Sequence, residues 1–377
     1  MKRMLLVAPD LGLVEGPGFA PGGLQSHGRM VLRALVDGYG PRSVTAWSLL
    51  DSSLAMQEAL AALFCPDGLP TDGLGLSRGF GGNRLALALQ LFRRRTYFDR
   101  VLFMHVGVGT LARLLPRGRH GCWLIGIEVW HALGGSRRAC LAHAHPLIAN
   151  SRHTTDRMRA ANPWAPAADV VHLGLESDPP WSLSPDSPGT CRHGSVPTAL
   201  TVGRLSAADA YKGYDTLILA WPEVIDRVPA AHLRIVGDGD DRERLEALAA
   251  GLPGGAGRHI RFDGQLSSGE LREAYESSHA LVLPSTKEGF GLVFLEAMRA
   301  GCACICTHGA PAEIVVPEET GLVAESTPAG IAAAVARILG NLHVAAAMGA
   351  AGRKRYEQHF TYAAFQDRFL RAWGQGG

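Results

Sequence analysis

The chain has 377 residues, enough for two or three domains that each bury a hydrophobic core. Hydrophobic residues make up 47 % and charged residues 19 %, a composition that excludes a disordered or fibrous protein. The net charge of +2 offers no general electrostatic field for nucleic acid. Glycine is enriched, with 46 residues and no three-residue repeat, so we expect the glycines to mark turns rather than a collagen helix.

Short apolar runs alternate with amphipathic stretches in the first half of the chain, a pattern typical of βα units with a parallel sheet. The predicted strands are Met4–Ala8, Ser43–Leu50, Val101–Val106, Trp123–Ile127, Leu147–Ala149 and Val170–Leu173. Helices are predicted at Leu24–Asp37 and Arg84–Arg94. The first apolar run is too short for a signal peptide, and no stretch reaches ~18 apolar residues, so we expect a cytoplasmic protein.

Five prolines between residues 177 and 197 interrupt this alternation and predict an interdomain linker. Beyond it the alternation restarts, with strands predicted at Ala199–Val202, Leu233–Val236, Ile260–Phe262, Ala280–Pro284, Ala303–Cys306 and Gly321–Ala324. The predicted helices are Tyr214–Arg227, Asp241–Leu248, Gly269–Ser277, Gly291–Arg299, Ala329–Leu339 and a final one, Thr361–Trp373. The fold class is therefore α/β, with two Rossmann-like doubly wound parallel sheets. Such sheets bind ligands at the carboxyl ends of their strands.

Residues 283 to 301, with the sequence LPSTKEGFGLVFLEAMRAG, are the most informative segment. A strand ends at Pro284, a polar loop follows, and a helix is predicted to begin near Phe290. The amides of Phe290, Gly291 and Leu292 would then be free to receive an anion such as a phosphate. Glu288 precedes this helix and Glu296 lies about two turns along it.

The two carboxylates could each accept hydrogen bonds from vicinal hydroxyls, which suits a sugar nucleotide. The alternative is that Glu288 is a loop charge and Glu296 a solvated helix residue. Arg204 follows another predicted strand, and Lys212 lies in the loop before the next helix. Two such cations could stabilise the charge on a departing diphosphate, or could simply be surface charges.

Two groups of residues resemble metal sites. Cys302, Cys304 and Cys306 alternate as on one face of a buried strand, and the second ligand pair of a zinc site is missing, so we expect core residues. Asp238 and Asp240 could hold a metal ion, but acids in a strand-to-helix turn explain them as well, and we favour that interpretation.

The first half offers further candidates near the predicted strand ends. Gly22 and Gly23 directly precede a helix and could contact a phosphate. His105 and Glu128 each follow an apolar strand, and either could accept a proton or bind an acceptor hydroxyl. A structural role is the alternative for His105. His27, His131 and His153 are competing candidates of lower rank.

The sequence resembles glycosyltransferase family 4, which comprises retaining enzymes of the GT-B fold. The similarity spans nearly the whole chain and is strongest over 199–325, where VGRL…YKGYDTLI, LRIVGDGDDRERLE and ETGLV follow the family's order. Glu288-x7-Glu296 matches the family's E-x7-E motif. PGGLQSHGR resembles its glycine loop. Glu128, in IGIEVW, stands where many members carry a histidine, and His105 resembles the histidine of the subgroup that has G-x-E-x-W.

The resemblance implies roles for these residues. Glu288 would contact donor-sugar hydroxyls and Glu296 the ribose hydroxyls, and Arg204 and Lys212 would hold the diphosphate. The amides of Phe290 and Gly291 would lie beside the diphosphate. Gly22, Gly23, Gly203, Gly289 and Leu292 are further candidates for backbone contact with the donor. The implied mechanism is front-face transfer with retention, in which the leaving diphosphate assists proton removal, without a metal or other cofactor. It also implies an acceptor domain over 1–178, a linker over 179–197, a donor domain over 198–356, and a helix over 357–377 that returns to the first domain.

We therefore predict a retaining hexosyltransferase of glycan, glycolipid or natural-product glycoside synthesis, with a UDP-sugar favoured and GDP-mannose next. A sugar-nucleotide epimerase or hydrolase of the same fold is the alternative, and a non-enzymatic sensor is a third. The acceptor could be lipid-linked, because Arg84–Arg95 combines leucines with a basic end that could touch the inner face of a membrane. A core-facing helix with a basic end is the favoured interpretation of that stretch.

Overall fold

The computed structural model describes residues 2–12, 23–176 and 194–374, which divide into two compact units. The first unit contains 2–12, 23–176 and 362–374, and the second contains 194–361. Gly22 and most of the predicted linker lie outside the described residues.

The first unit is built on a sheet of seven parallel strands in the order β3-β2-β1-β4-β5-β6-β7. The strands are β1 Met4–Ala8, β2 Val44–Ser48, β3 Arg78–Gly79, β4 Arg100–Phe103, β5 His120–Leu124, β6 Leu147–Ala149 and β7 Asp169–Val170. The helices are α1 Gly23–Tyr39, α2 Ser53–Phe64, α3 Arg84–Arg93, α4 Val106–Gly109, α5 Gly135–Ala142 and α6 Arg152–Ala161. Every residue of β1, β2 and β5 is buried, as expected of strands covered on both faces.

The second unit has six parallel strands in the order β10-β9-β8-β11-β12-β13. These are β8 Thr198–Val202, β9 His232–Val236, β10 Ile260–Gly264, β11 Ala280–Leu283, β12 Ala303–Cys306 and β13 Gly321–Val323. The helices are α7 Tyr214–Arg227, α8 Arg242–Ala250, α9 Ser268–Ser277, α10 Leu292–Ala300, α11 Pro328–Leu339 and α12 Leu342–His359. The prediction of two doubly wound parallel sheets is thus confirmed.

Several strands end earlier than predicted, because the apolar run in the sequence continues past the last residue that pairs in the sheet. β4 ends at Phe103, and His105 already caps α4, so the predicted strand Val101–Val106 is too long. β2 and β5 likewise end at Ser48 and Leu124. The two-residue strand β3 was not predicted, and neither was the 18-residue helix α12, which is rich in alanine and glycine and has no regular apolar stripe.

The C-terminal helix, α13 Tyr362–Gly374, belongs to the first unit. The prediction that the last helix packs back on the first domain is confirmed. Its aromatic side chains enter the core of that unit, where the ring of Trp123 lies 5.5 Å from the ring of Phe369. The phenol of Tyr362 also donates a hydrogen bond of 2.6 Å to Asp37 in α1.

The order of strands sets where each sheet can bind a ligand. In the second unit the chain winds from β8 outwards to β10 and then returns to β11 on the other side of β8. The loops that follow β8 and β11 therefore leave the sheet in opposite directions and open a crevice between them. β1 and β4 have the same relation in the first unit.

None of the described helices alone is long and apolar enough to cross a bilayer, and α11 and α12 reach that length and apolar character only together, as a pair bent by 95°. Ile331, Val335 and Met348 of this pair are buried in the core of the second unit.

Candidate functional site

The loops after β8 and β11 are joined directly in the second unit. The amide of Thr286 donates a 2.8 Å hydrogen bond to the carbonyl of Tyr211. Gly213 also approaches so closely that a Cβ at this position would lie 2.5 Å from the carbonyl oxygen of Pro284. The structure thus brings the segment containing Arg204 and Lys212 beside the one containing Glu288, as the position of both loops at the centre of the sheet requires.

Glu288 is partly buried at the end of the second loop. Its carboxylate accepts hydrogen bonds from the amides of Gly289 and Phe290. Burial raises the pKa of Glu288, while Lys212 and the two amides oppose the rise. The prediction that the amide of Phe290 is free is therefore wrong, because this amide already donates a hydrogen bond to the Glu288 carboxylate. This contact nevertheless shows that the amides before α10 attract an anion.

The helix begins at Leu292, one residue after the start of the predicted helix Gly291–Arg299. Gly291 is its N-cap and has φ of +96°, a left-handed conformation that disfavours other residues. A Cβ at Gly291 would lie 2.7 Å from the ring of Phe294. Both observations require glycine at this position, where the backbone turns from the loop into the helix.

Arg204 is held in place by an aspartate. Its Nε and Nη2 atoms lie 2.9 and 2.7 Å from the same oxygen of Asp209, and the phenol of Tyr211 donates to the other oxygen at 3.0 Å. The Asp209 side chain is 8 % exposed and that of Arg204 is 70 % exposed. The buried Asp209 carboxylate thus holds the guanidinium through Nε and Nη2, and the remaining N–H donors of Arg204 face solvent.

Lys212 lies at the end of the same loop, just before α7. Burial lowers its pKa, and the charges of Asp209 and Glu288 oppose that decrease. The ammonium is 3.1 Å from the place where a Cβ of residue 203 would be, and the phenol of Tyr214 is 2.7 Å from it. Gly203 therefore lets the β8 end approach both groups. The Tyr214 oxygen is buried and has no hydrogen-bond partner among the described residues.

Glu296 lies in α10, and its side chain is partly buried rather than solvated. One carboxylate oxygen accepts a 2.7 Å hydrogen bond from Tyr275 of α9, a side chain with no exposed surface. Burial raises the pKa of Glu296, while Tyr275 and then Arg299 oppose the rise. One oxygen of this carboxylate is thus fixed by the fold, and the second can accept hydrogen bonds from a ligand.

The metal candidates show no metal geometry. Among the described residues no group of three or more His, Cys, Asp or Glu side chains is arranged to hold an ion. Asp238 accepts from the amide of Gly239 and Asp240 from the amide of Ala207, so both act as turn residues. Cys304 and Cys306 are buried in β12, as expected of core residues.

His105 and Glu128 lie close enough in the first unit to interact electrostatically. The Nδ1 atom of His105 accepts a 2.8 Å hydrogen bond from the amide of Gly107, so a neutral ring carries its proton on Nε2. Burial lowers the pKa of His105, Glu128 opposes this, and Arg137 adds to it. The ring can therefore donate a hydrogen bond to a substrate hydroxyl through Nε2, but in this tautomer it cannot accept a proton there.

Both oxygens of Glu128 are engaged by its own loop. They accept hydrogen bonds of 2.6 and 2.8 Å from the amides of Ile125 and Gly126. The carboxylate thus fixes the backbone that follows β5. Each oxygen retains a second lone pair that could reach a ligand.

Other first-unit candidates differ in their access to solvent. Gly23 is exposed and is the first residue of α1. His27 is buried against Trp123, with ring centres 4.5 Å apart, and burial lowers its pKa to about 3. It is a core residue. His153 packs edge-on against Trp130 at 5.1 Å.

Sequence reasoning missed Asp209, Tyr211 and Tyr275, which fix the orientation of the predicted site residues. Tyr275 lies 21 residues before its partner Glu296, and nothing in the sequence indicates that α9 and α10 are neighbours here. Asp209 had a visible signal, since it is an acid five residues after Arg204 in an otherwise small and apolar loop.

Residues 196–341 match the family model of the glycosyl transferases of group 1. This matched segment lies within the second unit. The mannosyltransferase of Mycobacterium tuberculosis named GDP-mannose-dependent alpha-(1-6)-phosphatidylinositol monomannoside mannosyltransferase is 35 % identical over 216 residues, 52 % of this chain and 54 % of the relative. An uncharacterized glycosyltransferase of Methanocaldococcus jannaschii is 38 % identical over 142 residues, 37 % of this chain and 35 % of the relative. The chain spans about half the length of the curated relatives it matches.

Solved structures match the fold over the whole chain. Sucrose-phosphate synthase from Thermosynechococcus elongatus matches with a TM-score of 0.74 at 19 % identity. The match covers 100 % of this chain and 99 % of the synthase chain. The Anabaena protein Alr3699/HepE, in complex with UDP-glucose, has a TM-score of 0.69 at 15 % identity and covers 100 % of both chains. The fold is GT-B, as predicted.

Proposed function

We propose that this protein is a retaining, metal-independent glycosyltransferase that moves a hexosyl group from a nucleotide sugar to a hydroxyl acceptor. One observation carries the proposal: Arg204, Lys212 and Glu288 meet where the loops after β8 and β11 join, beside the start of α10. Two cations and a helix start attract a diphosphate, and two partly buried carboxylates accept sugar hydroxyls.

Donor binding accounts for the arrangement of the second unit. Arg204 and Lys212 would stabilise the charge that develops on the departing diphosphate. Glu288 would leave the amides of Gly289 and Phe290 to the phosphate and accept hydrogen bonds from the sugar instead. Glu296, fixed by Tyr275, would accept hydrogen bonds from the ribose hydroxyls. Each charged group in the site then has a partner of opposite charge or a hydroxyl.

Acceptor binding falls to the first unit in this proposal. His105, neutral and with its proton on Nε2, would orient the acceptor hydroxyl as a donor, and Glu128 would keep the adjoining loop in shape. The departing phosphate oxygen would take the acceptor's proton, because the neutral His105 ring cannot accept one at Nε2 and Glu128 is already engaged by two backbone amides. That route delivers the acceptor to the face of the sugar from which the diphosphate leaves, which retains the configuration.

The donor is proposed from sequence relatives rather than from the fold. The mycobacterial relative is named as GDP-mannose-dependent, whereas a UDP-glucose complex occurs in a structural relative that is only 15 % identical. GDP-mannose is therefore the first donor to test, followed by the UDP-sugars that the sequence favoured. The acceptor is a hydroxyl compound of glycan or glycolipid synthesis.

Mass spectrometry of products tests the proposal. The purified chain is incubated with GDP-mannose and, separately, with UDP-sugars, with and without a panel of polyol and glycolipid acceptors, in buffer containing a chelator. The expected result is a glycosylated acceptor whose anomeric configuration, read by NMR, matches that of the donor. A free sugar or an epimer formed without acceptor would contradict transfer, and loss of turnover in chelator would contradict the metal-free mechanism.

A pair of variants checks the site. Glu288→Gln keeps one accepting oxygen but removes the carboxylate charge and the second accepting oxygen. It is expected to lower turnover by at least ~100-fold, a loss typical of a group that acts at the reacting centre. Glu243→Gln, an exposed glutamate in the first turn of α8, is the matched control and leaves turnover unchanged. Equal turnover in both variants would show that the site has been placed wrongly.

A further inference from the structure

Helix α3 of the first unit carries large apolar side chains that the fold leaves uncovered. Leu85 is 84 % exposed, Leu89 50 % and Phe92 48 %. Their spacing of four and three residues places them on one side of the helix. Leu87 and Leu91 are fully buried on the other side. The interpretation of α3 as simply core-facing is therefore only half right, because the helix has two apolar faces.

A second segment with exposed leucines is joined to the start of α3. The amide of Gly82 donates to the carbonyl of Leu49 at 2.7 Å, and that of Gly81 to the carbonyl of Asp51 at 3.0 Å. These bonds tie the start of α3 to the loop that carries Leu50 and leads to Leu54, which are 57 % and 71 % exposed. We call Leu50, Leu54, Leu85, Leu89 and Phe92 the α3 surface.

Charge indicates what covers the α3 surface. Residues 73 to 98 contain five arginines and no aspartate or glutamate. Arg93 and Arg95 are exposed at the end of α3, and the Arg95 guanidinium lies 4.2 Å from the ring centre of Phe92. A long basic side chain beside an exposed aromatic ring can place its charge among phosphate groups while the ring enters apolar material.

The helix is held firmly on the unit. Asn83 caps it by accepting from the amide of Ala86 at 2.9 Å. The guanidinium of Arg84 donates to the carbonyl of Gly107 at 2.8 Å and to the hydroxyl of Thr110 at 2.6 Å. Gly107 is also the residue whose amide binds His105. The α3 surface is thus attached to the segment that holds the proposed acceptor-binding histidine.

We propose that the α3 surface docks on an anionic lipid bilayer. The leucines and Phe92 enter the boundary between headgroups and acyl chains, and the arginines bind lipid phosphates. Docking would place the segment with His105 next to the membrane, so a lipid-linked hydroxyl could reach it. The proposal does not depend on the transferase activity, because docking requires neither donor nor turnover.

Vesicle flotation of the full chain tests the proposal. Vesicles of phosphatidylcholine with about 30 % phosphatidylglycerol are compared with vesicles of phosphatidylcholine alone, at low and high salt. The expected result is binding to the anionic vesicles that weakens at high salt and is at least tenfold weaker on neutral ones. Absence of binding to anionic vesicles, or equal binding to both, would overturn the proposal.

Matched variants locate the contact. One triple variant removes the apolar side chains: Leu85→Ser, Leu89→Ser and Phe92→Ser. It is expected to weaken vesicle binding more than tenfold. A second triple variant, Arg93→Gln, Arg94→Gln and Arg95→Gln, is expected to weaken binding by about fivefold for each arginine that reaches the lipid.

The control for these variants is Leu63→Ser. Leu63 is 58 % exposed and lies nine residues after Leu54, on the opposite side of α2, so its loss leaves binding unchanged. Circular dichroism confirms that each variant is folded, and the arginine variant gives a second reading should the apolar one misfold. Unchanged binding in both multiple variants, or a dimer that dissociates in them without vesicle binding, would overturn the proposal.

Discussion

Replacing Asp209 with asparagine tests whether this residue positions Arg204. The change keeps the size of the side chain and an oxygen that can accept from Tyr211, but it removes the charge that holds the guanidinium at 2.7 and 2.9 Å. A hydrogen bond between charged groups is worth about 1.5–3 kcal/mol, and the 70 % exposure of Arg204 reduces this, so we take about 1–2 kcal/mol for the pair.

That energy predicts the size of the functional effect. An Arg204 side chain released from Asp209 must be ordered anew whenever a diphosphate binds, and this ordering costs binding free energy. Because 1.4 kcal/mol corresponds to a factor of ten, Asp209→Asn is expected to weaken nucleoside diphosphate affinity by about 5- to 30-fold. Isothermal titration with GDP and UDP measures the effect, and kcat and KM follow once a donor is known.

A double-mutant cycle separates positioning from general damage. If Asp209 acts through Arg204, the Asp209→Asn change has little further effect in an Arg204→Gln background. Asp215→Asn is the control, since it breaks another Asp–Arg pair, with Arg244 at 2.6 Å, at the start of α7. Additive losses in the cycle, or wild-type affinity in Asp209→Asn, would refute the reasoning.

Three further outcomes are expected. Because burial raises the pKa of Glu288, its ionised form destabilises the folded chain at neutral pH, so Glu288→Gln should raise Tm in thermal denaturation while turnover falls; a lower Tm would contradict this. Gly291→Ala should cost about 1–3 kcal/mol in denaturant unfolding, because φ is +96° and the new Cβ meets Phe294; an unchanged midpoint would count against it. His27, with a pKa of about 3, binds a proton in the unfolded state below pH 6.5 but not in the folded one, so stability falls as the pH drops. That loss amounts to about 2 kcal/mol between pH 6.5 and 5, and His27→Leu should remove it in denaturation series across that range.

Much of the fold could be predicted because parallel strands buried on both faces are continuous apolar runs. Met4–Ala8, Leu147–Ala149 and Ala303–Cys306 have the predicted limits. The failures have a common physical origin in the backbone beyond the sheet. Val106 is apolar and β-branched, yet it begins α4, because the His105 side chain caps a helix at that point. Apolar character alone does not show where a strand ends.

The site was predictable as a set of chemical groups but not as a geometry. Strand ends placed Arg204, Lys212 and Glu288 at one edge of the sheet. Their partners could not be found in this way, since Tyr275 reaches Glu296 from another helix. The contact between Glu288 and the amides of Gly289 and Phe290 was also missed, because it depends on the side-chain rotamer.

The central claim is that a nucleoside diphosphate binds where the loops after β8 and β11 meet. Isothermal titration of GDP into the wild-type chain and into the Lys212→Gln variant tests it most directly. We expect a one-to-one complex with the wild type and an affinity at least tenfold lower for the variant, because the partly buried Lys212 ammonium no longer meets the diphosphate. Equal affinities, or no binding of either GDP or UDP to the wild-type chain, would contradict it.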